Sequence, residues 1–183
     1  MPSTAGRLLI AEPMLDDPNF ERTVVLVVEH TEEGALGLVL NRSTDLAVAD
    51  VVPAWRELAS EPAVVHVGGP VEGRSGWCLA RLREPAPRPG FVPVVGDLGL
   101  VDLSLDPAEL AGQLTDARLY AGYSGWGPGQ LDGELALDSW FVVDARPGDP
   151  FHQHPDQLWR EVLARQKGGL GRLSNFPPDP SLN

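Results

Sequence analysis

Glu29-His30 sets a carboxylate beside an imidazole at the end of an apolar run, and a histidine titrating near neutral pH could serve there as acid or base. The competing reading is a strand-end histidine bonded to a carbonyl. Gly122 to Leu131 reads as a strand, a glycine-rich turn and a helix start, where free backbone N–H groups could cradle an anion. The spacing matches neither a P-loop nor a dinucleotide fingerprint: no Lys-Ser/Thr follows, and Gln130 occupies the third glycine position. Asp132 and Glu134 would also put negative charge in the first helical turn. A structural turn whose glycines let Trp126 pack is the favoured reading. Ser124 begins like a nucleophile elbow, but Trp126 stands where that motif needs its closing glycine. His152 and His154 flank Gln153 in a proline-rich loop, short of the three ligands and supporting groups of a metal site, so no metal is expected. Cys78 lies in an apolar, strand-like run and reads as a buried structural thiol. No cofactor motif is found.

A different set of residues has the chemistry of recognition. Asn19, Arg22, Glu29, His30, Asn41 and Arg42 are polar and fall at turns or strand ends, and Gly125, Trp126, Gly127 and Gln130 belong to the glycine-rich turn. A hairpin would bring Asn41 back to the chain level of Thr23, close to Arg22. Strand alternation puts Asn41 and Arg42 on opposite faces unless the strand has ended, and Asn41 is the expected partner of Arg22, with Arg42 partly exposed. The alternative is that Arg22 and Arg42 pair with Asp17 and Glu29 and merely pin turns.

The elements that must position these groups are short, because 18 prolines and 20 glycines are spread through the chain. Strands are expected over Arg7 to Ala11, Thr23 to His30, Leu36 to Asn41, Ala63 to Val67, Gly76 to Arg83, Phe91 to Val95, Leu98 to Leu103, Leu119 to Tyr123 and Trp140 to Val143. The continuous apolar character of Val24 to Val28 implies a strand covered on both faces. Helices are expected over Leu46 to Ser60 with a break at Pro53, from an Asp106-Pro107 start to near Asp116, over Pro128 to Ala136, and over Pro155 to Lys167. The last should bury Leu158, Trp159, Val162 and Leu163. Strands outnumber helices without regular alternation, which indicates an α+β sheet or distorted barrel.

With 183 residues the chain fits one domain, and its net charge is -12. Nucleic-acid binders normally carry a basic excess, yet Gly96 to Pro150 holds ten acidic residues against Arg118 and Arg146, so direct nucleic-acid binding is not expected. No apolar run approaches the ~20 residues of a membrane helix, no secretory signal is visible, and one cysteine suits a reducing compartment. A cytoplasmic protein without a membrane partner is the expectation.

The order of several segments resembles the AlgH/YqgE family of bacterial proteins. They are Gly6 to Ala11, Asp17-Pro18-Asn19-Phe20 with Arg22, Glu29-His30, Gly37 to Arg42, Gly68 to Val71, Tyr120 to Leu131, Trp140, and an ending of Phe176-Pro177 and Asp179 to Asn183. The resemblance spans nearly the whole chain. It implies an α+β fold with a mostly antiparallel, bulged, barrel-like sheet flanked by a few helices. It brings no established activity, cofactor or catalytic residue, although one member has been called a transcriptional regulator. The leading functional expectation is a non-enzymatic binding or adaptor protein with a protein or small-molecule partner. The alternatives are an enzyme of unknown reaction using Glu29 and His30 and, with less support from so acidic a chain, a transcriptional regulator.

Overall fold

The computed structural model describes residues 2–177. Its strands are β1 (Arg7–Ala11), β2 (Val24–Thr31), β3 (Gly34–Val39), β4 (Ser43–Ala47), β5 (Val64–Val67), β6 (Val71–Leu82), β7 (Phe91–Val95), β8 (Leu98–Val101), β9 (Leu114–Trp126) and β10 (Trp140–Asp144). The main path of the sheet runs β10-β1-β2-β3-β9-β6-β8-β7, antiparallel throughout. β5 lies parallel to β9 and carries β4 on its other edge. The path curls into a half-barrel: a Cβ built on Gly6, just before β1, would lie 3.0 Å from Val95 Cβ at the far end of β7. This is the α+β, barrel-like sheet that the resemblance implied.

β-Branched and leucine side chains build both faces of the central strands. Val24, Val25, Leu26 and Val27 are all fully buried, as the unbroken apolar run required. The inner face holds Leu8, Ile10, Leu26, Leu38, Leu79 and Leu98 from strands all around the curl. One end of that core is closed by α4 (Leu158–Ala164), which buries the expected Leu158, Trp159, Val162 and Leu163. On the outer face, α3 (Gln130–Ala136) covers β1, β2 and β3 through Leu131. A separate outer cluster sits under α1 (Val48–Val51) and α2 (Pro107–Leu110). α5 (Gly169–Arg172) follows the Gly168 stop.

The structure departs from expectation where pairing overrides local propensity. The anticipated helix over Leu46 to Ser60 is instead strand β4, the single turn α1 and a 3-10 turn over Pro53–Trp55. Pairing of Ser43 with His66 and Ala47 with Val64 claims the first part for the sheet, and Pro53 has no N–H to continue a helix. Asp106 does cap α2, its Oδ1 accepting from Ala108 N at 2.9 Å. That helix stops at Leu110 rather than near Asp116, because the chain from Leu114 pairs with β6. The segment Asp179 to Asn183 lies outside the described residues. No helix among the described residues is long and apolar enough to cross a membrane.

Candidate functional site

The β2–β3 hairpin decides which of its polar groups reach the inner face. Val27 pairs with Gly37, but the next pair is Glu29 with Leu36, which leaves Val28 as the extra residue of a β-bulge. Leu36 shares the inner face with Leu38, so its partner Glu29 is turned there too. His30, paired with Ala35, is turned to the outer face. Its Nδ1 lies 2.9 Å from Thr4 Oγ1 and accepts from Thr4 N at 3.2 Å, and its Nε2 is 3.8 Å from Asp132 Oδ1. Strand alternation sets the neighbouring carboxylate and imidazole on opposite faces, and the bulge decides that Glu29 is the one turned inward.

Glu29 opens onto a groove of about 430 Å3 at the mouth of the half-barrel, between the hairpin and the end of β9. Leu36, Val71 and Tyr123 supply its apolar lining, Gly125 one wall, and Glu33 a second carboxylate. No lysine or arginine lines it. Gly122 (φ 69°) adopts a conformation open to glycine, and a Cβ there would meet Gly69 O at 2.7 Å, so β9 bends at this point beside the groove.

The glycine-rich segment is strand further than the sequence suggested: β9 continues through Gly125 and Trp126, which pair with Leu36 and Ala35. Trp126 enters the outer core and passes over Gly37, where a Cβ would lie 3.4 Å from Trp126 Cζ3 and 2.7 Å from Val25 Cγ1. Its indole N–H donates to Glu134 Oε2 at 2.9 Å, and the Trp140 N–H donates to the same oxygen at 2.8 Å. Gln130 closes the turn: its Oε1 accepts from Gly127 N at 3.0 Å and its Nε2 donates to Glu134 Oε1 at 2.9 Å. Ser124 is buried and donates to Gly68 O at 3.1 Å.

Arg22, Asn41 and Arg42 do come together, but around main chain. Asn41 Nδ2 donates to Arg22 O and its Oδ1 accepts from Val24 N, both at 2.8 Å, so the amide locks the entry to β2. This support falls where Arg22 holds a left-handed φ of 53°, unusual for a residue with a Cβ. The Arg22 guanidinium turns away from Asn41. It stacks 4.7 Å from the Trp159 ring centroid and donates to the Phe176 and Pro177 carbonyls. Burial there, with Arg160 nearby, lowers its pKa from the ordinary value. Arg42 donates to Pro18 O at 2.8 Å and Glu21 O at 3.1 Å, pinning the turn through carbonyls rather than through Asp17 or Glu29. Asn19 is exposed, its N–H held by Asp17 Oδ1 at 2.8 Å.

Two other sequence readings find their places. His152 Nε2 donates to Glu161 Oε2 at 2.7 Å, and no group of three or more histidine, cysteine or carboxylate side chains that could hold a metal occurs among the described residues. Cys78 is buried, which pushes its thiol up to about 12. Leu36, Val71 and Tyr123 were not read from sequence as site residues, because apolar groups at strand positions look like core until the sheet's open end is known. Phe20, Glu134 and Trp140 escaped notice as a unit because no periodicity links residues so far apart.

The fold and groove define an α+β protein with a curled antiparallel sheet and an open, acidic-lined mouth. The chain belongs to the AlgH-like family: the family model described as "DUF179: AlgH-like" matches residues 8–171. It is 50% identical over 186 residues to the UPF0301 protein SCO2948 of Streptomyces coelicolor, covering 99% of this chain and 96% of that protein. Among solved structures, it is similar to protein DIP2367 from Corynebacterium diphtheriae, with a TM-score of 0.91, 30% identity and coverage of 96% and 94% of the two chains. The solution structure of AlgH from Pseudomonas aeruginosa matches with a TM-score of 0.71 at 30% identity, covering 97% of this chain and 96% of that one.

Proposed function

We propose that this protein is a non-enzymatic binding or adaptor protein that engages a protein or small-molecule partner through the mouth groove beside Gly125. The observation that carries this reading is the β2 bulge, which turns Glu29 into the groove and His30 out of it. A general acid–base pair needs both groups within reach of one reacting atom, and these two sit on opposite faces. What faces the groove is an apolar floor of Leu36, Val71 and Tyr123 between the carboxylates of Glu29 and Glu33. Such a surface favours an apolar partner segment carrying positive charge, and it offers nothing to a phosphate backbone. In this reading Arg22, Asn41 and Arg42 hold the chain entering β2 in place, while Glu29 and Gly125 make contact.

Affinity capture from native cells tests it, comparing the parent with Leu36→Arg in the groove and with Leu137→Arg, which alters a side chain 80% exposed just past the end of α3 and outside the groove lining. A partner or ligand retained by the parent and by Leu137→Arg, and lost from a folded Leu36→Arg, is the expected result. Equal capture by all three overturns the proposal.

A further inference from the structure

On the outer face, behind the strand that walls the groove, lies a recess of about 290 Å3. Phe20, Trp126 and Trp140 line it together with the carboxylates of Asp17 and Glu134, and no lysine or arginine is among its lining residues. The rings are set at angles to one another. Trp140 stands at 77° to Phe20, with centroids 5.4 Å apart, and at 79° to Trp126, 6.1 Å apart. Phe20 and Trp126 lie within 25° of parallel at 6.1 Å. Glu134 fixes both indoles, because one of its oxygens accepts both ring N–H groups. The other oxygen is held by Gln130. The carboxylate is therefore a rigid negative charge at the edge of a ring-lined space.

We infer that this recess is a binding site for an organic ammonium group, held by the Phe20, Trp126 and Trp140 rings and by the negative charge of Glu134 and Asp17. Aromatic rings attract cations through their quadrupoles, and do so more strongly where water is excluded. The indole N–H groups, which would repel a cation, are turned onto Glu134. The carboxylates complete the preference over an uncharged ligand of the same shape. The ammonium could belong to a free quaternary amine or to a lysine side chain of a partner. The recess shares Gly125 and Trp126 with the mouth groove, but its carboxylates, Asp17 and Glu134, and its Phe20 and Trp140 rings are its own.

The test is titration of the protein with choline and with its neutral isostere 3,3-dimethylbutan-1-ol, following the Trp126 and Trp140 indole N–H resonances. Saturable choline-induced shifts are expected, with the isostere bound at least roughly tenfold more weakly. Phe20→Leu, which keeps an apolar side chain, and Asp17→Asn should each weaken choline binding while leaving the melting temperature close to that of the parent. A parallel titration with Nα-acetyl-lysine methylamide separates the sources: binding as tight as choline assigns the site to a partner's lysine, and markedly weaker binding assigns it to a quaternary amine. Equal affinity for the isostere would reduce the recess to an apolar hollow and overturn the inference. So would the absence of saturable shifts with either cation.

Discussion

His66 lies on β5 with its ring 5.7 Å from that of Tyr120 and its Nδ1 3.2 Å from Val64 O. Its Nε2 has no protein partner among the described residues, and the charge of the buried Arg118 opposes its protonation. Burial first, and Arg118 second, lower its pKa from 6.5 to about 4. The unfolded chain therefore binds the proton more readily. Stability from the neutral ring is present above pH 6.5 and is lost as pH falls from there through about 4. The full loss is about 3 kcal/mol. Denaturant unfolding of the parent and of His66→Gln between pH 7 and pH 4 measures it: the parent should lose about 3 kcal/mol more than the variant. Equal losses would mean that acid acts only through other groups. Neither His66 nor Arg118 announces such a role in the sequence, since burial of a polar residue depends on strands distant in the chain. Asn41 was legible in part. The hairpin argument brought it to Arg22, but its amide reaches the main chain of Arg22 and Val24. The orientation of a short side chain past a strand's end was beyond alternation rules.

Three elements meet at Glu134: it sits on α3 and accepts indole N–H groups from the end of β9 and the start of β10. Hydrogen bonds to a charged acceptor are stronger than neutral ones. Glu134→Gln should therefore destabilise the protein by about 2 kcal/mol. A melting-temperature drop of roughly 5 °C is expected for a chain of this size, and no drop would show that the latch carries little stability. At this scale most of the strands were legible from β-branched runs and turn residues, as at Arg7 to Ala11, where expectation and structure coincide. The failures share a cause. Leu46 to Ser60 and the stretch after Leu110 have local helical character, yet their ends are taken by pairing with β5 and β6. Gly125 and Trp126 read as a turn because glycine disfavours strands. They remain in β9 because Leu36 and Ala35 pair with them.

Over the whole molecule, the end of β9 lies between two concave surfaces. Gly125 borders both the mouth groove and the aromatic recess. Of the residues named in sequence as a recognition surface, Glu29 lines the groove, Gln130 the recess and Trp126 both, whereas Arg22, Asn41 and Arg42 brace the turn before β2 at the other end of the hairpin. The net charge of -12 and the carboxylates at the groove and the recess agree in sign, which favours cationic partners at both. The central claim is that partners are engaged at the mouth groove, and photocrosslinking in native cells tests it most directly. A benzoylphenylalanine placed at Glu33, exposed on the groove, is compared with one at Leu137, exposed just past the C-terminus of α3. The account predicts a discrete adduct from position 33 that is absent from position 137 and is lost when Leu36→Arg is added. Failure to trap any adduct at position 33, or the same adduct from position 137, would contradict it.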